Sequence, residues 1–168
     1  MPRDLDYSVE PARSQDKEWI RQLITQHWGA EFVLSRGQIH HPDQLAGFLA
    51  VDGAERIGLI TYQIQGDECE VVSLNSLRPG FGIGTALLNT VKNVALQAGC
   101  RRIFLITTND NLEALGFYQR RGLELVAVYR NALAETRRLK PNIPMIGLNE
   151  IPLRDELELE LTLSGSEL

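Results

Sequence analysis

The chain is poor in cysteine and aromatic residues, carries no surplus of positive charge and has no long hydrophobic run. Only 2 Cys occur in 168 residues. Cys69 and Cys100 stand far apart, with no CxxC and no Cys/His spacing, which excludes a zinc knuckle or a disulfide framework. Two buried free thiols are expected instead. No stretch approaches the roughly 18 consecutive apolar residues of a membrane span. Met1-Pro2-Arg3-Asp4-Leu5-Asp6 has no signal-peptide core, so a cytoplasmic protein with no membrane partner is expected. The formal net charge is -5, which argues against a nucleic-acid partner, since phosphate backbones select basic faces. What is present is ordinary for a single soluble domain: 43% hydrophobic and 23% charged residues.

The most informative stretch is Leu74-Asn75-Ser76-Leu77-Arg78-Pro79-Gly80-Phe81-Gly82-Ile83-Gly84-Thr85-Ala86-Leu87-Leu88. An apolar run, Val71-Val72-Ser73-Leu74, leads into three alternate glycines. Apolar residues then recur at Ile83, Leu87, Val91, Val94, Ala95 and Ala98, one face of a helix that Gly99 stops. A glycine-rich turn entering a helix exposes unpaired backbone N–H groups at the positive end of the helix dipole, a natural phosphate cradle. The bland alternative is a glycine turn that only caps a core helix. No P-loop string, with its Lys-Ser/Thr, occurs anywhere. A dinucleotide fingerprint fails too: its third glycine would fall on Thr85 or Leu87, and no acidic residue ends the next apolar run from Arg101 to Thr107.

Along the chain, residues 7–10 alternate like a first strand, and Ser14 is placed to cap a helix over 15–28 that Gly29 ends. Residues 31–35 read as a short extended run, followed by a polar stretch over 36–42. A hairpin with an Asp52-Gly53 turn joins 47–51 to 56–64, and 68–74 forms the strand entering the glycine loop. Three antiparallel strands before the phosphate helix do not suit a Rossmann sheet, which alternates strand and helix from the start. A parallel strand over 101–107, a helix from Asp110 or Asn111 to Gly122, a strand over 123–130 and a basic helix from Asn131 follow. Residues 157–163 alternate strictly, which predicts a last strand with one wet, acidic face guarding an edge.

Gly80-Phe81-Gly82-Ile83-Gly84 resembles the acyl-CoA pyrophosphate loop of the GNAT superfamily of N-acetyltransferases, Arg/Gln-x-x-Gly-x-Gly/Ala. Aligned on Gly82 and Gly84, the pattern's first position falls on Pro79, with Arg78 one residue early, which leaves the part played by Arg78 open. Asn111-x-x-Ala114-x-x-Phe117-Tyr118-x-x-x-Gly122-Leu123 resembles the family's second signature, with Leu123 in place of Phe. The likeness is strong over 68–130 and weaker over 47–67, so the acyl-CoA-binding core is set at about 47–130. It implies an α/β (α+β) fold in one domain, with a mixed, mostly antiparallel sheet flanked by helices. The implied reaction is transfer of an acetyl group from acetyl-CoA to an amine by direct attack.

The resemblance further implies a set of roles. Backbone N–H groups across Gly80, Phe81, Gly82, Ile83, Gly84 and Thr85 would hold the pyrophosphate. The strand edge at Leu74, Ser76 and Leu77 would pair with the pantetheine amides, and Asn111 would bond the CoA arm. Tyr118 would protonate the leaving thiolate. Glu70, at the start of the strand before the loop, is the candidate base, with Glu68 on the same side by the period-two rule. Beside these stand plain structural readings: Tyr118 as packing, Asn111 as a helix cap, Glu70 as a solvated strand-end carboxylate. His27, His40 and His41 read as surface histidines, although Trp28, Arg36 and His40 fall where this fold builds its acceptor pocket. No metal is expected. The acceptor is a small-molecule or peptide amine, and a homodimer is compatible with the family. The alternative function is a non-catalytic acyl-CoA-binding or sensing domain.

Overall fold

The computed structural model describes residues 5–163; residues 1–4, which open the stretch read as lacking a signal-peptide core, lie outside the described residues. The elements run β1 (Ser8–Pro11), α1 (Lys17–Trp28), β2 (Val33–Ser35), β3 (Gln38–His40), β4 (Ala46–Asp52), β5 (Glu55–Gln65) and β6 (Glu68–Ser76). They continue as α2 (Ile83–Gln97), β7 (Arg102–Thr108), α3 (Leu112–Arg120), β8 (Glu124–Tyr129), α4 (Ala132–Leu139) and β9 (Glu156–Thr162). Seven strands form one sheet in the order β1-β4-β5-β6-β7-β9-β8, and β2 with β3 makes a separate ribbon. Only β6 and β7 are parallel; the other neighbours are antiparallel. The expected mixed, mostly antiparallel α/β sheet flanked by helices is therefore present.

Helices cover both faces. The apolar stripe of α2 (Ile83, Leu87, Val91 and Ala95) packs on Ile57, Ile60, Cys69, Ile103 and Leu159. On the other face α1 sets Ile20, Leu23 and Ile24 against Leu49 and Leu59. This double coverage explains why residues 57–62 of β5 are all buried, without the alternation of a half-wet strand. Cys69 and Cys100 are free and buried, as expected.

Three local expectations need correction. Ser14 does not cap α1: residues Ser14–Asp16 form a 3-10 turn. The polar anchor is Asp16, which accepts the Arg13 N–H at 2.8 Å and pairs with Arg56 at 2.9 Å. The polar stretch over 36–42 contains a strand, β3, turned back on β2 through Arg36-Gly37. Both turn residues have positive φ, 50° and 75°, the signature of a tight two-residue hairpin. Finally, β9 is no guarded edge. It lies between β7 and β8, and its carboxylates point into paired surroundings: Glu156 is buried, while Glu158 accepts from Arg102 at 2.9 Å and from the Tyr129 hydroxyl at 2.8 Å. The edge falls to β8, which shows Leu125, Val126 and Val128 to solvent.

The sheet is interrupted where β6 crosses its middle. Pairing with β7 stops after three residue pairs, the last being Glu70 with Phe104, although both strands run on. On the other side, the β5 register slips so that Tyr62 pairs with Val71 and Thr61 with Ser73, leaving Val72 as a bulge. Both edges of β6 thus lose regular partners at one level, and the sheet opens there.

Candidate active site

The opening between β6 and β7 is a cavity of about 360 Å³. Its floor is Glu70 to Leu74 of β6 and Leu105 to Thr108 of β7. One wall is Trp28, Leu34 and Ser35; another is Asn111, Ala114 and Tyr118 from α3. Leu133 of α4, with Lys140, Ile143 and Leu153 beyond it, closes the roof. That roof is fastened down. Asp110 accepts the Leu148 N–H at 2.8 Å, Asn109 accepts the Arg154 and Asp155 N–H groups, and the Lys140 ammonium donates to the carbonyls of Trp28 and Phe32.

At the start of α2, Gly82 caps the helix in the left-handed region (φ 73°), a conformation glycine adopts without steric cost. The first N–H inside this turn to find a backbone acceptor is that of Ala86, on Gly82 O at 3.0 Å. Among the described residues, the N–H groups of Phe81 to Thr85 have no backbone partner. Gly84 has a different task. A Cβ there would meet the Phe117 ring at 3.1 Å, so glycine lets α3 lie against the start of α2. Ile83 is buried in the core, whereas Phe81 is exposed. Arg121 stacks on Phe117 with its guanidinium 3.6 Å from the ring centroid and donates to the Thr85 hydroxyl at 2.7 Å, adding positive charge beside the cradle. Arg78 faces elsewhere, paired with Asp52 at 3.2 Å and with Glu55.

The β6 edge is divided. Leu74 lines the cavity. Leu77 already gives its N–H to Ile57 O at 2.9 Å, and Ser76 is exposed, with its hydroxyl directed at Arg78 O. Asn111 combines two positions, capping α3 by accepting the Ala114 N–H at 3.2 Å while lining the cavity. Tyr118 is 9% exposed and edge-on to Phe117, and burial pushes its phenol pKa up, so the hydroxyl stays protonated. No protein group among the described residues hydrogen-bonds that hydroxyl.

Glu70 is not a solvated strand-end carboxylate. Its side chain accepts the Ser35 hydroxyl at 3.0 Å and lies 3.6 Å from His40 Nε2. Burial raises its pKa most strongly; His40 and Ser35 pull it back, while Glu158 and Glu156 push it further up. Glu68, on the same side, is spent on Arg101 and on Arg102 at 3.1 Å, and does not line the cavity. His40 corrects the surface reading: it is 5% exposed. His27 and Trp28 line the cavity, whereas His41 turns to the Phe32 ring and Arg36 stacks on Tyr129 at 3.4 Å. Sequence reasoning missed Ser35, Arg121, Lys140 and Glu156. They come from four separate stretches, and only Ser35 carried a signal, its place in a short extended run. No cluster of three or more potential metal ligands occurs among the described residues.

The sequence model of the Acetyltransferase (GNAT) family matches residues 9–123. The uncharacterized protein YdhI of Bacillus subtilis strain 168 is 48% identical over 151 residues, covering 89% of this chain and 94% of that one. Among solved structures, an IAA acetyltransferase from Bacillus cereus superposes with a TM-score of 0.72 at 20% identity, covering 94% of this chain and 100% of that one. A GNAT family acetyltransferase from Elizabethkingia anophelis, solved with acetyl-CoA bound, gives 0.66 at 20% identity and covers 94% and 98%. The unpaired N–H cradle, the parted strands and the match across most of the chain agree: this protein belongs to the GNAT acetyltransferase family.

Proposed function

We propose that the protein is an N-acetyltransferase that moves the acetyl group of acetyl-CoA to an amine by direct attack, without a metal. One observation carries the reading: the parted β6–β7 pair, Glu70, Asn111 and Tyr118 line one cavity, and the unpaired N–H groups of Phe81 to Thr85 follow β6 in the chain. The pyrophosphate sits on the N–H groups of Phe81 to Thr85, and the pantetheine arm follows the edge of β6 from Leu74 towards Ser76, with Asn111 across from it. Glu70 takes the proton of the acceptor ammonium, a role that its raised pKa suits. A backbone N–H released by the Val72 bulge faces the developing oxyanion. Tyr118, kept protonated by burial, gives its proton to the departing sulfur. Glu70 and Glu156 at the acceptor end favour a cationic partner, a small-molecule or peptide amine. Neither nucleic acid nor membrane has a part in this reading, and the setting is cytoplasmic.

The test is release of free thiol from acetyl-CoA across a panel of primary amines, polyamines and short peptides. Tyr118→Phe is expected to lower turnover about 100-fold, a typical loss for a general acid, with acetyl-CoA binding unchanged. If acetyl-CoA binds but no acceptor in the panel releases thiol, the chain is a binding or sensing domain instead; if Tyr118→Phe and Glu70→Gln both keep wild-type turnover, the two residue roles fall.

A further inference from the structure

We propose that Lys92 and Arg121 form a subsite for the 3′-phosphate of the acyl donor, so that the protein tells CoA from its 3′-dephospho form. The inference deepens the preceding reading and rests on the N–H groups of Phe81 to Thr85 holding the pyrophosphate. It starts from two cations that the fold leaves without a counter-charge. Among the described residues, no carboxylate stands within ion-pairing distance of Lys92 or Arg121. Both line a second, smaller dimple of about 40 Å³, with Asn89 between them and aliphatic side chains making up the rest. In a chain of formal net charge -5, a carboxylate-free spot holding two cations and an amide is set apart from the rest of the surface.

The dimple is joined to the cradle through α2. Thr85, Asn89 and Lys92 follow one another at helical spacing, so they share one face of the helix. Thr85 supplies the last unpaired N–H of the cradle. The same face therefore begins at the phosphate turn and reaches Lys92 about 10 Å further along the axis, at 1.5 Å per residue. Arg121 stands beside it from α3. Its Nε donates to the Thr85 hydroxyl at 2.7 Å, one Nη donates to Phe117 O at 2.9 Å, and the guanidinium lies over the Phe117 ring. A guanidinium has five N–H donors; two are used here, and three remain. The clamp fixes the plane of the guanidinium before a ligand arrives, so little side-chain entropy is left to lose on binding.

Acyl-CoA carries phosphate in two places, and their chemistry differs. Each phosphate of the pyrophosphate bears one negative charge, which suits neutral backbone N–H groups at the positive end of a helix dipole. The 3′-phosphate is a monoester with a charge of about -1.5 to -2 at neutral pH. Such a group selects fixed cations, a guanidinium fork and an ammonium above all. A pyrophosphate seated on Phe81 to Thr85 does not reach Lys92, about two turns on. The 3′-phosphate stands off from the pyrophosphate by the width of the ribose, and is the anion of the donor with that reach. With the pantetheine arm on β6, the adenosine lies over the face from Thr85 to Lys92, and its phosphate meets the unspent donors of Arg121 and the Lys92 ammonium.

The experiment is isothermal titration calorimetry of the full chain with CoA and with 3′-dephospho-CoA. The wild type should bind CoA about 10-fold more tightly or better, the worth of one charge-assisted hydrogen bond. Lys92→Gln should narrow that ratio by weakening CoA while leaving the affinity for 3′-dephospho-CoA unchanged. It is the safer of the two variants for folding, since Lys92 is only half-buried on α2, whereas Arg121 clamps α3 to α2. The double variant Lys92→Gln, Arg121→Gln should bring the ratio close to one. Equal affinity of the wild type for the two ligands overturns the proposal, and so does a preference for CoA that survives in the double variant. Lys92→Gln weakening both ligands alike also overturns it, because the charge would then act on the pyrophosphate. The two readings separate cleanly: if neither ligand binds, the acyl-CoA reading itself falls; if both bind the wild type alike, the subsite alone falls.

Discussion

Glu70 is a carboxylate that the fold makes reluctant to ionise. Its pKa lies above the ordinary carboxylate value chiefly because it is buried. Ionisation is therefore easier in the unfolded chain, and stability is highest below the unfolded pKa and falls as pH rises through the folded one. Glu70→Gln removes that penalty and keeps an oxygen to accept the Ser35 hydroxyl. Its melting temperature should match wild type near pH 4 and exceed it increasingly as pH rises towards 7, while acetyl transfer is lost. Thermal scans at several pH values check the sign. At this scale the sequence was legible in patches. Tyr118 and Asn111 could be found because a local signature fixes their spacing on one helix. Ser35, His40 and Glu156 could not, because the docking of the separate β2–β3 hairpin against β6 and β9, and no spacing rule, brings residues 35 and 120 positions apart in sequence to the same carboxylate neighbourhood.

The two glycines that open α2 look alike in sequence and differ in function at the level of elements. Gly82 needs a backbone conformation and has nothing within 4 Å of a would-be Cβ; Gly84 needs empty space against Phe117. Gly82→Ala should cost about 1–2 kcal/mol of left-handed strain and raise the acetyl-CoA KM, because the N–H groups of the turn lose their aim. Gly84→Ala should cost about 1–3 kcal/mol by overpacking and, on the proposed mechanism, lower kcat as well, because Phe117 adjoins Tyr118 and carries the push to it. Steady-state kinetics on the two variants separates the effects. Element type was readable for every long periodic segment. The short β3 was not, since its three residues Gln38, Ile39 and His40 show no apolar alternation and form a strand only by pairing with β2.

For the whole molecule, the order of antiparallel hairpin strands followed by a phosphate helix was enough to separate this sheet from a Rossmann fold. The position of β9 was not readable. Strict alternation predicts a strand with one apolar face, but cannot say that the opposite face will meet Arg102 and Tyr129. Ligand binding is a property at this scale, since the cavity draws on both halves of the sheet. Acetyl-CoA at about 100 times its dissociation constant should add about 2.7 kcal/mol of stability. For a chain of this length the melting temperature should rise by about 5–10 °C, while NAD and ATP leave it unmoved. A thermal-shift assay with the three ligands in parallel decides this.

The late arrival of β9 has a consequence for synthesis on the ribosome. Until residues 156–162 have emerged, β7 and β8 each lack the strand that will lie between them, and the roof strapped to Asn109 and Asp110 has no sheet beneath its far end. The half made first, from β1 to α2, can pair in hairpins as it appears. The half bearing α3 waits with open strand edges, which is the state most prone to misassociation. A stalled or truncated chain ending before β9 would thus carry a finished glycine turn and α2 on an unfinished sheet. Its exposed edges would be surfaces for chaperones and proteases, so that quality control is expected to read the arrival of β9 as completion of this sheet.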